Sequence, residues 1–322
     1  MTDDKVAVQQ WQVSAEYAGQ RIDNFLLTRL KGAPRSLIYR IIRSGEVRVN
    51  RGRIRAEYRL QAGDELRIPP LRLAAVENTP LQPGRGLAQA LELRIIHEQD
   101  GLLVLNKPQG LAVHGGSGIQ CGAIEALRQM RPHYAFLELV HRIDRDTSGL
   151  LLLAYKRQVL LEAQAALQRA ETVKCYQAVL IGTLPQKRLR IEQPLYKYTL
   201  PSGEMRVRVD AAGKAARSDF VRQWQSHSLC GVEVRIHTGR THQIRVHARS
   251  LGHPVLGDEK YGLEAENLQW QLKGRQKGWN RLFLHAGRLE LAMPSGVLAF
   301  EVPADAGMQE LWRQGMQGLL EV

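Results

Sequence analysis

The sequence predicts an α+β protein, in which a small module of helices and short strands precedes a larger domain that contains both element types. Three observations predict this arrangement. The chain has 322 residues, 44% hydrophobic and 24% charged, which is typical of a globular protein with roughly two domains. Helical spacing of apolar residues gives way to strand-like alternation in the N-terminal part of the chain. A stretch rich in proline and glycine then separates this module from the remainder.

The module is predicted to span residues 1–70, with a core over 19–70. Ser36 is a candidate N-cap for its second helix. Short strands follow, because Val47 and Val49 alternate with charged residues. The apolar faces of the two predicted helices are Ile22, Phe25, Leu26 and Leu30 in the first, and Leu37, Ile38, Ile41 and Ile42 in the second.

Positive charge is concentrated in this module. The chain carries 45 Lys and Arg against 32 Asp and Glu, a formal net charge of +13. Residues 21–70 alone hold twelve basic and five acidic residues, and eleven of the twelve are arginine. This charge favours polyanionic partners, nucleic acid above all, and the planar guanidinium suits both phosphates and the faces of bases.

The stretch RSLIYRIIRSGEVRVNRGRI, residues 35–54, resembles the S4 RNA-binding module of ribosomal proteins and RNA-modifying enzymes. The resemblance implies that the module binds RNA. The alternative is an ordinary small domain with a solvated basic face. The candidate RNA-binding side chains of the module are Arg35, Arg40, Arg43, Arg51 and Arg53.

Residues 71–89 are predicted to be a linker, because prolines and glycines interrupt the periodicity there. The second domain is predicted to span residues 90–322. Apolar residues around Ile95, a turn at Asp100-Gly101 and the run Leu102 to Leu105 predict that it begins with a β-hairpin.

The loop HRIDRDTSG, residues 141–149, is the most unusual short segment of the second domain. It places two acids and two arginines directly before the buried strand 150–154. A carboxylate held at the end of a strand can face a cleft. Taken alone, however, such a loop is more typical of salt bridges on a protein surface.

Two further segments add candidate residues. A predicted strand ends at Ile236, and Thr238-Gly239-Arg240 leads into a helix that begins near Thr241. A strand, a glycine turn and a basic helix N-terminus favour a site that faces an anion. The predicted strand 174–180 presents Lys174 and Tyr176 on one face, where a tyrosine alone is more often a core residue.

In chain order, VLNKPQGLAVHGG, HRIDRDTSG, KCYQAVL, TGRTHQIRVHARSLGHPVLGD and RLFLHA resemble the motifs of RluA/RluC-type pseudouridine synthases. The resemblance extends from about Gly19 to beyond Ala286 and includes the S4 module. Ile143 stands where the family commonly has leucine. The resemblance implies a synthase domain on a mixed, mainly antiparallel β-sheet with flanking helices.

The same resemblance implies three catalytic roles. Asp144 is the carboxylate that acts on the uridine, by attack on the ribose or the uracil ring or by removal of a ribose proton. Arg245 is its ion-pair partner, which keeps a partly buried carboxylate charged and oriented. Tyr176 stacks on the uracil ring and helps to remove the C5 proton.

A uridine inside folded RNA is inaccessible, so it must be flipped out of its stack. Arg142 is the candidate to fill the vacated space, and a phosphate contact or salt bridge is its alternative role. Leu284 is expected to wall the uracil pocket by analogy with the family. Lys107, Arg240 and His242 are assigned no chemistry.

Several classes of protein and site are disfavoured. No apolar stretch approaches the roughly 20 residues of a membrane helix, and the first ten residues hold no secretory signal. Three widely spaced cysteines fit a reducing cytoplasm. No metal site is predicted from the four histidines His237, His242, His247 and His253, and no nucleotide cofactor is expected because phosphate-loop and dinucleotide motifs are absent.

The sequence therefore predicts a cofactor-independent, monomeric, cytoplasmic enzyme that converts uridines of 23S ribosomal RNA to pseudouridine. A synthase that acts on transfer RNA and a non-catalytic S4-containing RNA-binding or ribosome-assembly protein remain alternatives. A phosphate-using transferase or hydrolase is disfavoured by the missing phosphate loop.

Overall fold

Two helices and a small antiparallel sheet form the first of the two units into which the chain divides, Met1–Gln82 and Pro83–Val322. The computed structural model describes residues 7–30, 32–71, 84–115, 121–274, 277 and 279–320. In the first unit the strand order is β1-β4-β2-β3. Its elements are β1 (Gln9–Gln12), α1 (Ile22–Arg29), α2 (Arg35–Arg43), β2 (Arg48–Val49), β3 (Gly52–Arg53) and β4 (Glu65–Ile68).

The predicted apolar faces form the core of this unit, where all but Leu37 of the eight predicted helix side chains are buried. The prediction for the cap of α2 was wrong. Pro34 occupies the N-cap position with an extended backbone, so Ser36 lies inside the helix. Strand β1 was not predicted, because it carries a single large apolar residue, Trp11, and forms by pairing with distant β4.

The second unit is built on a ten-stranded sheet, as counted within the described residues. Its main strand order is β10-β13-β14-β9-β15-β8-β6-β5, with β16 beside β15 and β7 beside β8. The strands are β5 (Ile95–Gln99), β6 (Leu102–Lys107), β7 (Glu138–Leu139), β8 (Ser148–Ala154), β9 (Val173–Ile181), β10 (Arg188–Ile191), β13 (Ser218–Gln225), β14 (Leu229–Ile236), β15 (Leu284–Met293) and β16 (Gly296–Glu301), and a separate ribbon pairs β11 (Leu195–Thr199) with β12 (Met205–Val209).

Helices flank this sheet, as the family resemblance implied. The strand pairs are antiparallel except for β15 with β8, which confirms the mixed, mainly antiparallel arrangement. The predicted hairpin is β5–β6, with positive φ at Asp100 and Gly101 in its turn. The helices are α3 (Arg85–Glu92), α4 (Ala123–Met130), α5 (Arg157–Ala166), α6 (Gln243–Ser250), α7 (Glu264–Lys273) and α8 (Ala306–Met316).

Helix α3 corrects the prediction of a linker over residues 71–89. Residues 85–89 are helical, because Leu87 and Leu91 recur at helical spacing and Leu91 is buried in the core beside β6. Residues 72–83 lie outside the described part of the chain, as does Gly116 at the end of the segment VLNKPQGLAVHGG.

Strand β8 is buried along its whole length and positions the loop that precedes it. It lies between β6 and β15, and its second residue, Gly149, has a φ of +110°. A Cβ atom on Gly149 would lie 2.3 Å from the carbonyl oxygen of Ala286. Only glycine therefore allows this close approach of two strands.

Replacing Gly149 with alanine is expected to lower the free energy of unfolding by about 4 kcal/mol or more, because strain and a backbone clash add. The control is Gly296→Ala, where φ is +125° and no atom lies within 4 Å of the added Cβ. Gly296→Ala should lower the free energy of unfolding only by the backbone strain, about 1–3 kcal/mol. Urea denaturation measures both, and equal losses would contradict the close approach.

Candidate active site

Asp144, Tyr176, Arg245, Arg142 and Leu284 line one cavity of about 110 Å³. All five are residues predicted from the sequence. Asp144 and Arg142 lie in the loop before β8, and Tyr176 lies within β9. Leu284 begins β15 and is buried, while Arg245 lies in the first turn of α6. Because β14, β9, β15 and β8 are neighbours, the sheet brings these segments to one place.

Arg245 links two carboxylates. Its Nη1 donates to Asp144 Oδ2 at 3.3 Å, and its Nε and Nη2 donate to the two oxygens of Asp258, each at 2.7 Å. The side chains of Arg245 and Asp258 are 3% and 0% exposed, whereas that of Asp144 is 23% exposed. Asp258 is thus the buried structural partner, and Asp144 is the carboxylate that reaches the cavity.

The buried pair fixes the charges of its members. Burial alone would lower the pKa of Arg245, but its hydrogen bonds to Asp258 raise it above the ordinary value. Burial would likewise raise the pKa of Asp258, but its bonds to Arg245 and to the backbone N–H groups of Lys260 and Tyr261 lower it. Both side chains are therefore charged at neutral pH.

His242 faces Asp144 from the N-terminus of α6. Its Nε2 lies 3.9 Å from Asp144 Oδ2, and its Nδ1 lies 2.7 Å from the hydroxyl of Tyr261. That hydroxyl already accepts the Val207 N–H, at 2.9 Å, so its own proton is directed to Nδ1. Burial lowers the pKa of His242 to about 4. The low pKa and the hydrogen bond from Tyr261 to Nδ1 therefore indicate a neutral imidazole, in which the proton is on Nε2 and points towards Asp144.

Tyr176 is partly buried and extends from β9 between β14 and β15, opposite Val234 and Ala286. Burial, together with the nearby charge of Asp144, raises the pKa of Tyr176. Its hydroxyl makes no hydrogen bond to the described residues. A neutral phenol thus faces the cavity beside the carboxylate.

A buried lysine and a half-buried histidine hold the loop that carries Asp144. The Lys107 ammonium is fully buried and donates to the carbonyl oxygens of Pro108, Leu111 and Arg145, at 2.8–2.9 Å. Burial lowers the pKa of Lys107 to about 7, while the charges of Asp146 and Asp144 oppose this effect. At the other end of the loop, His141 Nε2 accepts the N–H of Leu152 in β8.

A larger cavity of about 640 Å³ adjoins the first, and Arg142 and Tyr176 line both. Its other basic residues are Lys174, Arg240 and Arg288. Arg142 is exposed where the two cavities meet. The arrangement places a partly apolar pocket that contains the Asp144 carboxylate next to a cationic opening, which suits a base and its flanking phosphates.

Asp258 and Tyr261 were missed as site residues. Asp258 ends the quoted motif TGRTHQIRVHARSLGHPVLGD but received no role. The available signal was an acid two residues after the apolar segment 254–256 and 13 residues after Arg245.

The four histidines considered for a metal site have separate hydrogen-bond partners. His237 bonds Asp219, His247 bonds Ser218 and Gln193, and His253 bonds the carbonyl of Ile181. The described residues contain no group of three or more His, Cys, Asp or Glu arranged to hold a metal ion. They also contain no helix long and apolar enough to span a bilayer.

The predicted RNA-binding arginines of the first unit are all exposed, on α2 and around the turn between β2 and β3. Within the described part of that unit, the ion pairs join Arg21 to Asp23 and Glu57 and do not use these arginines. The five guanidinium groups, Arg35, Arg40, Arg43, Arg51 and Arg53, are thus available to external anions.

Comparison with known proteins relates both units to RNA-modifying enzymes. Residues 101–250 match the family described as RNA pseudouridylate synthase, and residues 20–66 match the S4 domain. The chain is 47% identical over 299 residues to the ribosomal large subunit pseudouridine synthase C of Escherichia coli (strain K12), covering 92% of this chain and 93% of that one. It is 45% identical over 314 residues to the protein of the same name from Pasteurella multocida (strain Pm70), covering 96% and 95%.

A solved structure gives the same result. The structure titled human RNA Pseudouridylate Synthase Domain Containing 4 superposes with a TM-score of 0.57 at 27% identity, and the match covers 73% of this chain and 95% of that one.

Replacing Asp258 with alanine is expected to lower the free energy of unfolding by about 3–5 kcal/mol, because it leaves Arg245 buried with one weak partner. Asp258→Asn should lose less, since the amide keeps one acceptor oxygen. The pKa of Asp258 is lowered in the folded state, so its contribution is present above the ordinary aspartate pKa and is lost as the pH falls through the folded value.

Urea denaturation between pH 7 and pH 3 tests this expectation. The difference between the wild type and Asp258→Asn should be largest at pH 7 and should shrink in acid. Glu310→Gln, which breaks the exposed pair with Arg313, is the control and should change stability little. A wild-type-like Asp258→Ala protein would show that the pair does not support the site.

Proposed function

The chain belongs to the RNA pseudouridylate synthase family and carries an S4 domain, and on this premise we propose that it converts specific uridines of 23S ribosomal RNA to pseudouridine. It acts as a monomer without a cofactor. The observation that carries the proposal is the Asp144 carboxylate, which Arg245 holds at a small cavity lined by Tyr176 and Leu284.

The reaction is an isomerisation. The N1–C1′ bond of the uridine breaks, the uracil turns, and a C5–C1′ bond forms. The proton on C5 is lost, and N1 gains a proton, so that atoms and charge balance. Attack on the ribose, attack on the ring and removal of a ribose proton all need an ionised carboxylate. Aspartate supplies one at neutral pH without a separate base.

Arg245 orients Asp144 without neutralising it fully, because two of its N–H groups are committed to Asp258. The carboxylate is therefore fixed in direction and keeps an oxygen for the substrate. Tyr176 offers the face of a neutral phenol to the uracil. Its raised pKa favours stacking as its contribution over removal of the C5 proton by a phenolate.

Arg142 is positioned to occupy the gap that the flipped uridine leaves. It is exposed where the small cavity meets the larger cationic one, so its planar guanidinium can stack on the neighbouring bases. Leu284 supplies an apolar wall for the extruded uracil. The arginines of the S4 domain bind RNA phosphates and supply affinity.

Asp144→Asn is expected to abolish pseudouridine formation while RNA affinity stays within about twofold, because shape is kept and only the ionised oxygen is lost. Pseudouridine in 23S RNA from cells that lack the protein is detected by carbodiimide labelling after incubation with each variant. Asp146→Asn, which removes a carboxylate two residues away on the same loop, is the control and should remain active. An active Asp144→Asn enzyme would overturn the assignment.

The double variant Arg51→Gln/Arg53→Gln is expected to weaken RNA binding and to reduce the slope of log Kd against log salt by about one to two units, since each phosphate contact contributes about 0.7–0.9. Turnover at saturating RNA should not change. Arg190→Gln/Arg313→Gln removes two equally exposed charges from the second unit as a control. An unchanged slope in the Arg51/Arg53 variant would remove these residues from the RNA contact.

A further inference from the structure

The ribbon β11–β12 carries two tyrosines and two arginines on one face. Its strands pair antiparallel, with Tyr196 opposite Arg208 and Tyr198 opposite Arg206. Cross-strand partners project to the same side of a ribbon, as do residues two apart along a strand. These four side chains therefore form one surface, which we call the Tyr–Arg face.

Tyr196 and Arg208 of the Tyr–Arg face are exposed, Tyr198 and Arg206 are half-buried, and contacts within the face order it. The Arg208 guanidinium carbon lies 5.4 Å from the centre of the Tyr196 ring and 5.2 Å from that of Tyr198. Arg208 also pairs with Asp210 at 2.8 Å and remains 56% exposed, while Tyr196 is 41% exposed. Two aromatic rings and a guanidinium between them are thus held in place facing outwards.

The opposite face anchors the ribbon to the catalytic unit. Leu195 and Val207 are 5% and 4% exposed and pack with Val246 of α6 and with Tyr261. The Val207 N–H donates to the Tyr261 hydroxyl, which bonds His242 beside Asp144. Two hydrogen bonds therefore connect the ribbon to His242, which faces the catalytic carboxylate.

A groove of about 590 Å³ leads from the Tyr–Arg face towards the catalytic residues. Tyr198, Arg206 and Arg208 line it together with Arg249 and Lys260. Lys260 also lines a further cavity of about 350 Å³, which shares Asp144, His242 and Arg245 with the small one. Glu204 pairs with Lys260 and Arg206, which positions these cations at the groove but leaves it with a positive balance.

We propose that the Tyr–Arg face stacks unpaired nucleotides of the RNA that flank the target uridine, while Arg249 and Lys260 contact their phosphates. This inference rests on the proposed function. Aromatic faces with an interleaved guanidinium are the chemistry that holds unpaired bases without reading their sequence. Lys260 lines both this groove and a cavity that contains Asp144, so a strand bound in the groove lies next to the nucleotide that enters the site.

Tyr196→Leu/Tyr198→Leu tests the proposal, because leucine keeps apolar area but has no aromatic face. Tyr196→Phe/Tyr198→Phe is the matched control, since it keeps both rings and loses only the hydroxyls. Binding and steady-state kinetics are measured on two RNAs: a 23S fragment with long unpaired flanks, and a minimal stem-loop that contains only the target. Thermal unfolding checks that each variant is folded.

The leucine variant should raise both Kd and KM for the long fragment about tenfold, with kcat unchanged, whereas the phenylalanine variant should match the wild type. Neither should alter kinetics on the minimal stem-loop. Arg208→Gln should also weaken binding of the long fragment, and Arg313→Gln, which removes an equally exposed ion-paired arginine from α8, should not.

Equal Kd and KM for the wild type and the leucine variant on the long fragment, with an active wild type, would overturn the stacking face and leave the proposed function standing. A loss shared by the leucine and phenylalanine variants would also overturn it, because the rings would then not be responsible. A wild type that modifies neither RNA would instead contradict the proposed function itself.

Discussion

The guanidinium of Arg245 cannot give up its charge, and its burial determines how the groups around it are arranged. Removing an unpaired cation from water costs several kcal/mol, so a buried arginine needs a carboxylate in good geometry. Asp258 meets this need with both oxygens and is itself held by backbone N–H groups of Lys260 and Tyr261. The segment 258–261 and the first turn of α6 are thereby locked together, independently of any substrate.

Asp144 completes this arrangement from another part of the chain. Its loop is held by Lys107, whose ammonium donates to three carbonyl oxygens. The loop is also held by β8, which can approach β15 closely because Gly149 has no side chain. The ammonium of Lys107, which holds the loop, has its hydrogen-bond acceptors within the fold. The Asp144 carboxylate shares a partner, Arg245, that is mainly committed to Asp258, and it is the part of the arrangement that reaches the cavity.

The family resemblance selected residues that the fold brings together, because each of its motifs fixes residue types over a short stretch of sequence. Asp144, Tyr176, Arg245, Arg142 and Leu284 occur in four separate segments, yet they line one cavity. Some features were missed because they form only by contact with residues distant in sequence. Others were missed because neighbouring glycines and prolines suggest irregular structure. Strand β1 exists through its pairing with β4, and helix α3 begins among glycines that suggest a linker. In the sequence Asp258 resembles an ordinary acidic loop residue. Its role is visible only in the structure, where the buried guanidinium of Arg245 lies beside it.

The charge balance of the cavity follows from the same contacts. Asp144 and Asp258 share one guanidinium, so the three groups together carry one net negative charge. His242 does not offset it, because burial lowers its pKa to about 4 and the Tyr261 hydroxyl occupies its Nδ1. The Tyr261 hydroxyl accepts the N–H of Val207 and donates to His242. It thus links the ribbon that carries the Tyr–Arg face to the neutral imidazole beside Asp144.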